Sequence, residues 1–193
     1  MKNKFITRKE KIIITTVDLI NEIGIKELSI KEIAKREDVT EASLYKHFKS
    51  KDEILFEVLE YYSKYDMNII KTLKNNRENE KDNLFTYFKL YAEYYDGYPA
   101  LTSIIGCYDI LLYEKNLQDK TKEIFTLRTE FIKNLIEEGQ KNKNIKEHIK
   151  AENLTNILLG TFERLIFTWR LSGFKFSLKE KTIEQISDIL NIC

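Results

Sequence analysis

Four times in this chain of 193 residues a Ser or Thr stands three positions ahead of a Glu, at the head of a run with helical apolar spacing. The pairs are Thr7 with Glu10, Ser29 with Glu32, Ser50 with Glu53, and Ser177 with Glu180. In such a capping box each side chain satisfies the other residue's free backbone N–H, so the places where helices begin are written locally. One proline and six glycines leave little turn chemistry for a many-stranded sheet. The expected fold is therefore all-α. A hydrophobic content of 42% with 12% aromatics is enough to bury a core, which excludes disorder of the whole chain.

No apolar stretch approaches the roughly 20 residues that a membrane span needs. The opening MKNKFITRKEK has no apolar core of the signal-peptide kind, so the protein is expected to stay in the cytoplasm, away from membranes. Cys107 and Cys193 are far apart with no second ligand pair nearby, and are read as ordinary thiols; neither a metal site nor a cofactor is expected.

The first helix is expected over 8–23, with Ile12, Thr16, Leu19, Ile20 and Ile23 on one face and Gly24 ending it. A short second helix runs from Ile30 to about Glu37, pointing Ile30, Ile33 and Ala34 inward. After a break at 38–40, Thr40 caps a third helix through His47, with Val39, Leu44 and Phe48 available for a small core. A long amphipathic helix then starts at Ser50 with Ile54, Leu55, Val58, Leu59 and Tyr62, reaching a polar joint at 75–83. Further helices are expected near 83–96, 99–113, 117–141, 151–172 and 178–190.

Helix, tight turn and helix near the N-terminus form a unit that grips DNA: the first helix crosses the backbone and the second lays its first turn on base edges in the major groove. The first turn here, Thr40, Glu41, Ala42 and Ser43, is small enough for close approach, with Lys46 one turn further on. Groups suited to phosphate surround it: Tyr45, His47, Lys49 and Lys51, and the helix openings at Ser29 and Thr40. Charge gives mild support. Residues 1–51 carry 12 Lys/Arg against 8 Asp/Glu, net +4, leaving −3 for the remainder.

The stretch LSIKEIAKREDVTEASLYKHFKSKDEILFEVL resembles the N-terminal signature of the TetR family of regulators, with Ile33, Ala34, Val39, Tyr45, His47, Phe48 and Lys51 in register. The resemblance implies phosphate contacts from Tyr45, His47, Thr40 and Lys51, and base contacts from Glu41, Ala42, Ser43 and Lys46. Two positions depart from the family pattern: Asp38 stands where a turn glycine is usual, and Ala42 where a glycine is common early in the recognition helix.

These readings divide the chain into a three-helix DNA-binding domain, 1–52, and a helical effector-binding and dimerisation domain, 53–193. Residues 151–172 are apolar nearly all round, with Leu154, Leu158, Phe162, Leu165 and Trp169 on one face and Ile157, Thr161, Thr168 and Leu171 on another. Such a helix must be covered on both sides. Together with Ile183, Ile186, Ile189 and Leu190 it suits a homodimer interface, the pairing that the resemblance also implies. Two recognition helices would then meet half-sites about 34 Å apart on a palindromic operator in double-stranded DNA.

The resemblance further implies a small-molecule effector. Candidate pocket residues are Phe88, Tyr91, Tyr95, Tyr108, Phe125, Phe162 and Trp169, with Arg128 or Arg164 to pair an anionic group; the alternative is that the aromatics are core and the arginines solvated. Catalysis is not expected, because no nucleophile, base and orienter assemble around His47 and His148 and no phosphate-binding glycine loop appears. The expected function is a ligand-responsive repressor, with an activator or a partner-binding regulator using the same head as the alternative.

Overall fold

The computed structural model describes residues 6–192, and Cys193 lies outside them. They form ten α-helices and no strand. The helices are α1 Arg8–Ile23, α2 Ile30–Arg36, α3 Glu41–Tyr45, α4 Lys51–Lys74, α5 Glu80–Gly97, α6 Thr102–Ile105, α7 Tyr108–Leu111, α8 Gln118–Lys141, α9 Ala151–Leu171 and α10 Leu178–Ile192. By compactness they divide into two units, one of the residues up to Lys64 with Ala100–Glu123, the other of Tyr65–Pro99 with the residues from Ile124 onward.

In the first unit, Thr7 Oγ1 accepts the Glu10 N–H (3.2 Å) and the Glu10 carboxylate accepts the Thr7 N–H (2.8 Å), so the first capping box is complete. Ile12, Thr16, Leu19 and Ile20 are buried as the spacing requires, but Ile23, at the last residue of α1, is 39% exposed. Gly24, with φ +81°, turns the chain out of the helix. Ser50 caps α4 through the Glu53 N–H (3.1 Å), whereas the Glu53 carboxylate reaches past it to the Lys49 N–H. All five expected core residues of α4, from Ile54 to Tyr62, are buried. α6 packs on α1 although nearly the length of a domain separates them in sequence.

The single helix expected over 99–113 is instead a 3-10 turn, Pro99–Leu101, followed by α6 and α7. Between the two short helices the Cys107 N–H closes on Ile104 O three residues back (3.1 Å), tightening the turn so that α6 can follow α1. The Cys107 side chain is buried.

In the second unit α5 begins at Glu80, earlier than its apolar pattern suggests, because Asn79 Oδ1 accepts the Asp82 N–H (3.0 Å) and caps it. α10 packs on α5 and α9. Its opening is held twice: Ser177 Oγ accepts the Glu180 N–H (3.1 Å), and the Asp96 carboxylate accepts those of Leu178 (3.2 Å) and Lys179 (3.0 Å). None of the helices is long and apolar enough to cross a membrane.

Candidate DNA-binding interface

α2 and α3 are two short capped helices. Ser29 Oγ accepts the Glu32 N–H and Thr40 Oγ1 the Ser43 N–H, each at 3.2 Å. Between them Asp38 sits at φ +53°, the left-handed region that favours glycine and that short polar side chains tolerate best among the rest. The Val39 N–H then closes on Ala34 O (3.0 Å), which fixes the angle at which α3 leaves the turn.

Leu44 and Phe48 are each 1% exposed, so α3 is pinned by one face. Its other face is free: Thr40, Glu41, Ala42, Lys46 and His47 are exposed, Ser43 is half-buried, and Tyr45 is 52% exposed with its phenol in solvent. A large aromatic left outside beside Lys46, His47 and Lys49 is poor core design and good phosphate chemistry. Ser29 is half-buried at the opening of α2. Lys51 is half-buried and donates from Nζ to Leu28 O (3.3 Å), so a phosphate contact from this side chain requires leaving that carbonyl.

Charge pairs brace the head. Lys9 ion-pairs with Glu57 at 2.6 Å and lies 5.4 Å from the centroid of the Phe48 ring. Glu37, where α2 ends, has a buried carboxylate that accepts from Thr15 (2.5 Å) and pairs with Arg8 and Lys11, both at 3.2 Å. Burial pushes the Glu37 carboxyl up, but the Thr15 and Lys11 hydrogen bonds and the charges of Lys11 and Arg8 outweigh it, leaving it below its usual value. A carboxyl depressed on folding stabilises above its unfolded pKa and loses that contribution as pH falls through its folded one. Glu37→Gln is therefore expected to cost about 1 kcal/mol at pH 7. Urea unfolding from pH 7 to pH 3 should show a shallower decline below about pH 4.5 in this variant than in the parent.

The second unit holds a buried polar cluster that sequence reasoning missed on one side. Arg128, a candidate from the sequence, is turned inward, and the carboxylate it meets is that of the fully buried Asp66. Asp66 accepts from Arg128 Nε (3.0 Å) and Nη2 (2.8 Å) and from the Tyr91 hydroxyl, and the guanidinium lies 5.1 Å from the Tyr91 ring centroid. Burial pushes the Tyr91 phenol well up, so it stays a donor. The available signal was an acid inside the apolar stripe of α4, between Tyr62 and Ile69.

Of the other effector candidates, Phe88, Tyr91, Tyr95 and Phe162 form one buried group with ring centroids 5.5–6.1 Å apart. Trp169 is buried elsewhere, its ring 4.7 Å from Phe174 and its Nε1 donating to Phe176 O (2.7 Å). Phe125 is 54% exposed, and Tyr108 belongs to the first unit. Arg164 is exposed and stacks on Phe167 at 5.4 Å.

Comparison with known proteins agrees with this geometry. Residues 12–58 match the family model described as bacterial regulatory proteins, tetR family, and residues 63–191 match the YsiA-like protein, C-terminal region. Nucleoid occlusion factor SlmA of Vibrio cholerae is 25% identical over 181 residues, 90% of this chain and 89% of that protein. The fatty acid metabolism regulator protein of Bacillus subtilis is 22% identical over 169 residues, covering 87% and 86%. The crystal structure of FadR from Bacillus subtilis in complex with stearoyl-CoA superposes with a TM-score of 0.79 at 21% identity, covering 93% of this chain and 96% of that one. The chain thus belongs to the tetR family of bacterial regulatory proteins, and its helix-turn-helix is the DNA-binding head of a transcriptional regulator.

Proposed function

We propose that this protein is a cytoplasmic, homodimeric repressor that reads a palindromic operator with residues 1–52 and is released from it by a small effector bound within residues 53–193. The observation that supports this reading is the exposed face of α3; on it we assign base edges to Glu41, Ala42, Ser43 and Lys46, and phosphates to Thr40, Tyr45, His47, Lys51 and the opening at Ser29. Dimerisation rests on α9, whose Ile157, Phe167 and Leu171 are 42%, 52% and 71% exposed in the single chain.

For the effector, the Bacillus subtilis FadR structure makes a long-chain acyl-CoA the first ligand to test. The buried group of Phe88, Tyr91, Tyr95 and Phe162 is apolar enough to receive an acyl chain, and an anionic group reaching Arg128 would compete with Asp66. The alternative is an activator, or a DNA-bound regulator that uses the same head and acts on a protein partner.

Selection of bound sequences from random duplex DNA, at stated salt, should return a palindrome, and stearoyl-CoA should then weaken binding to it. Failure to enrich any sequence would sink the operator reading. Deleting the gene should raise expression of a neighbouring gene; a fall would indicate an activator, and no change the partner reading. In the head, Tyr45→Ala should weaken binding to all sequences alike. Ser43→Ala should alter preference at particular positions by about 1–3 kcal/mol. Parental binding by both variants would overturn the site assignment.

A further inference from the structure

Within the second unit a groove of about 700 Å³ runs between the end of α4, the start of α5 and the middle of α8. That volume lies in the range of small-molecule sites. Its floor is apolar: Phe131 is buried at the base, and Leu127 and Leu135, one turn to either side on α8, are only half-buried. None of the aromatic effector candidates lines it.

The rim is acidic. Glu78, Glu80, Glu130 and Glu138 face the groove against a single cation, Lys74. Glu80 is already engaged by the side-chain amides of Asn142 and Asn144, and Glu78 by Asn76 (2.7 Å) and Thr86 (3.3 Å). Glu130 and Glu138 differ. They flank Asn134 at four-residue intervals along α8, so all three stand on one face beside the leucines, and neither carboxylate has a hydrogen bond or ion pair. Two other acids of α8 outside the groove do have lysine partners, Glu123 with Lys120 (3.0 Å) and Glu137 with Lys133 (4.0 Å).

We propose that this groove binds an amphiphilic organic cation, its apolar body on Leu127, Phe131 and Leu135 and its ammonium group between Glu130 and Glu138. Charge decides the class. A ligand with a phosphate or carboxylate head of the same length would bring like charge to a rim that is already net negative, and desolvation beside the leucines strengthens the discrimination. The lining shares no residue with the group of Phe88, Tyr91, Tyr95 and Phe162, although Phe131 at its base packs on Tyr87 beside that group, and the proposal does not depend on the identity of the effector.

The test uses the whole protein and calorimetric titration with decyltrimethylammonium below its micelle concentration, compared with decyl sulfate, which has the same chain and the opposite charge. The cation should bind at least tenfold more tightly. Glu130→Gln with Glu138→Gln should weaken the cation about tenfold, the scale of two lost solvent-screened ion pairs. Glu123→Gln with Glu137→Gln, which removes the same net charge from α8 outside the groove, should leave the affinity unchanged. Both pairs of positions are exposed, so circular dichroism should report the parental fold. Equal binding of the sulfate, absence of cation binding, or equal weakening by the two double variants would overturn the proposal.

Discussion

Asp66→Ala is expected to lower the free energy of unfolding by about 3–5 kcal/mol, the cost of breaking an ion pair whose acid is fully buried. Asp66 is fully buried, and its two oxygens take Arg128 at 2.8 and 3.0 Å together with the Tyr91 hydroxyl. Removing the carboxylate takes an acceptor from Arg128 and from the Tyr91 hydroxyl at once. Removing both charges is different in kind, because an apolar pair of similar volume needs no solvation. Asp66→Leu with Arg128→Met should therefore recover most of the loss, and the double-mutant cycle should give a large coupling. Denaturant unfolding of the parent, the single variants and the double variant measures it. A loss below about 1 kcal/mol for Asp66→Ala would mean that water already solvates Arg128 there. The pair also has a functional consequence: an anionic effector headed for Arg128 must outcompete an acid already held by two short contacts.

Phe167→Glu with Leu171→Glu should convert a dimer to a monomer and weaken operator binding about 10²–10⁴-fold, the gain that bivalency supplies when two heads share one site. Along α9, Ile157, Arg164 and Leu171 recur every seven residues and Gly160 and Phe167 fall between them, the spacing of a helix that packs on another helix. Among the described residues, none comes within 4 Å of a Cβ built on Gly160, and Ile157, Phe167 and Leu171 beside it are exposed. Two glutamates in the seam would be buried against their own copies, and like charges cannot share an apolar contact. Because Phe167 and Leu171 are 52% and 71% exposed in one chain, the monomer should keep its helices. Sedimentation and operator binding, measured together, decide it: an intact dimer would place the interface elsewhere, and a monomer with undiminished affinity would show that one head suffices.

Helix starts and the DNA-binding head were legible in the sequence because the physics behind them is local. A cap needs a side chain within three residues of the N–H it satisfies, and α1 and α10 begin where caps and apolar spacing place them. Leu44 and Phe48 against exposed Tyr45, Lys46 and His47 likewise follow from the 3.6-residue period acting over a single short helix. Errors arose where distant segments competed with local preference. The expected helix over 99–113 breaks because α6 must follow α1, and α5 starts early because Asn79 caps it from within what read as a structureless polar patch.

The sequence by itself determined where most helices lie, which of their faces are apolar, and which side chains of α3 stay exposed, since each depends on neighbours a few positions away. Only tertiary structure decided which charges cancel: Asp66 and Arg128 are 62 residues apart, and nothing in the order of residues says that the acid in the stripe of α4 meets that arginine of α8. The same holds for Glu130 and Glu138, whose freedom from partners is a property of what packs beside α8 and not of α8 itself. Pairing of charges is set by distance in space, and in a helical chain that distance is fixed only when the helices pack.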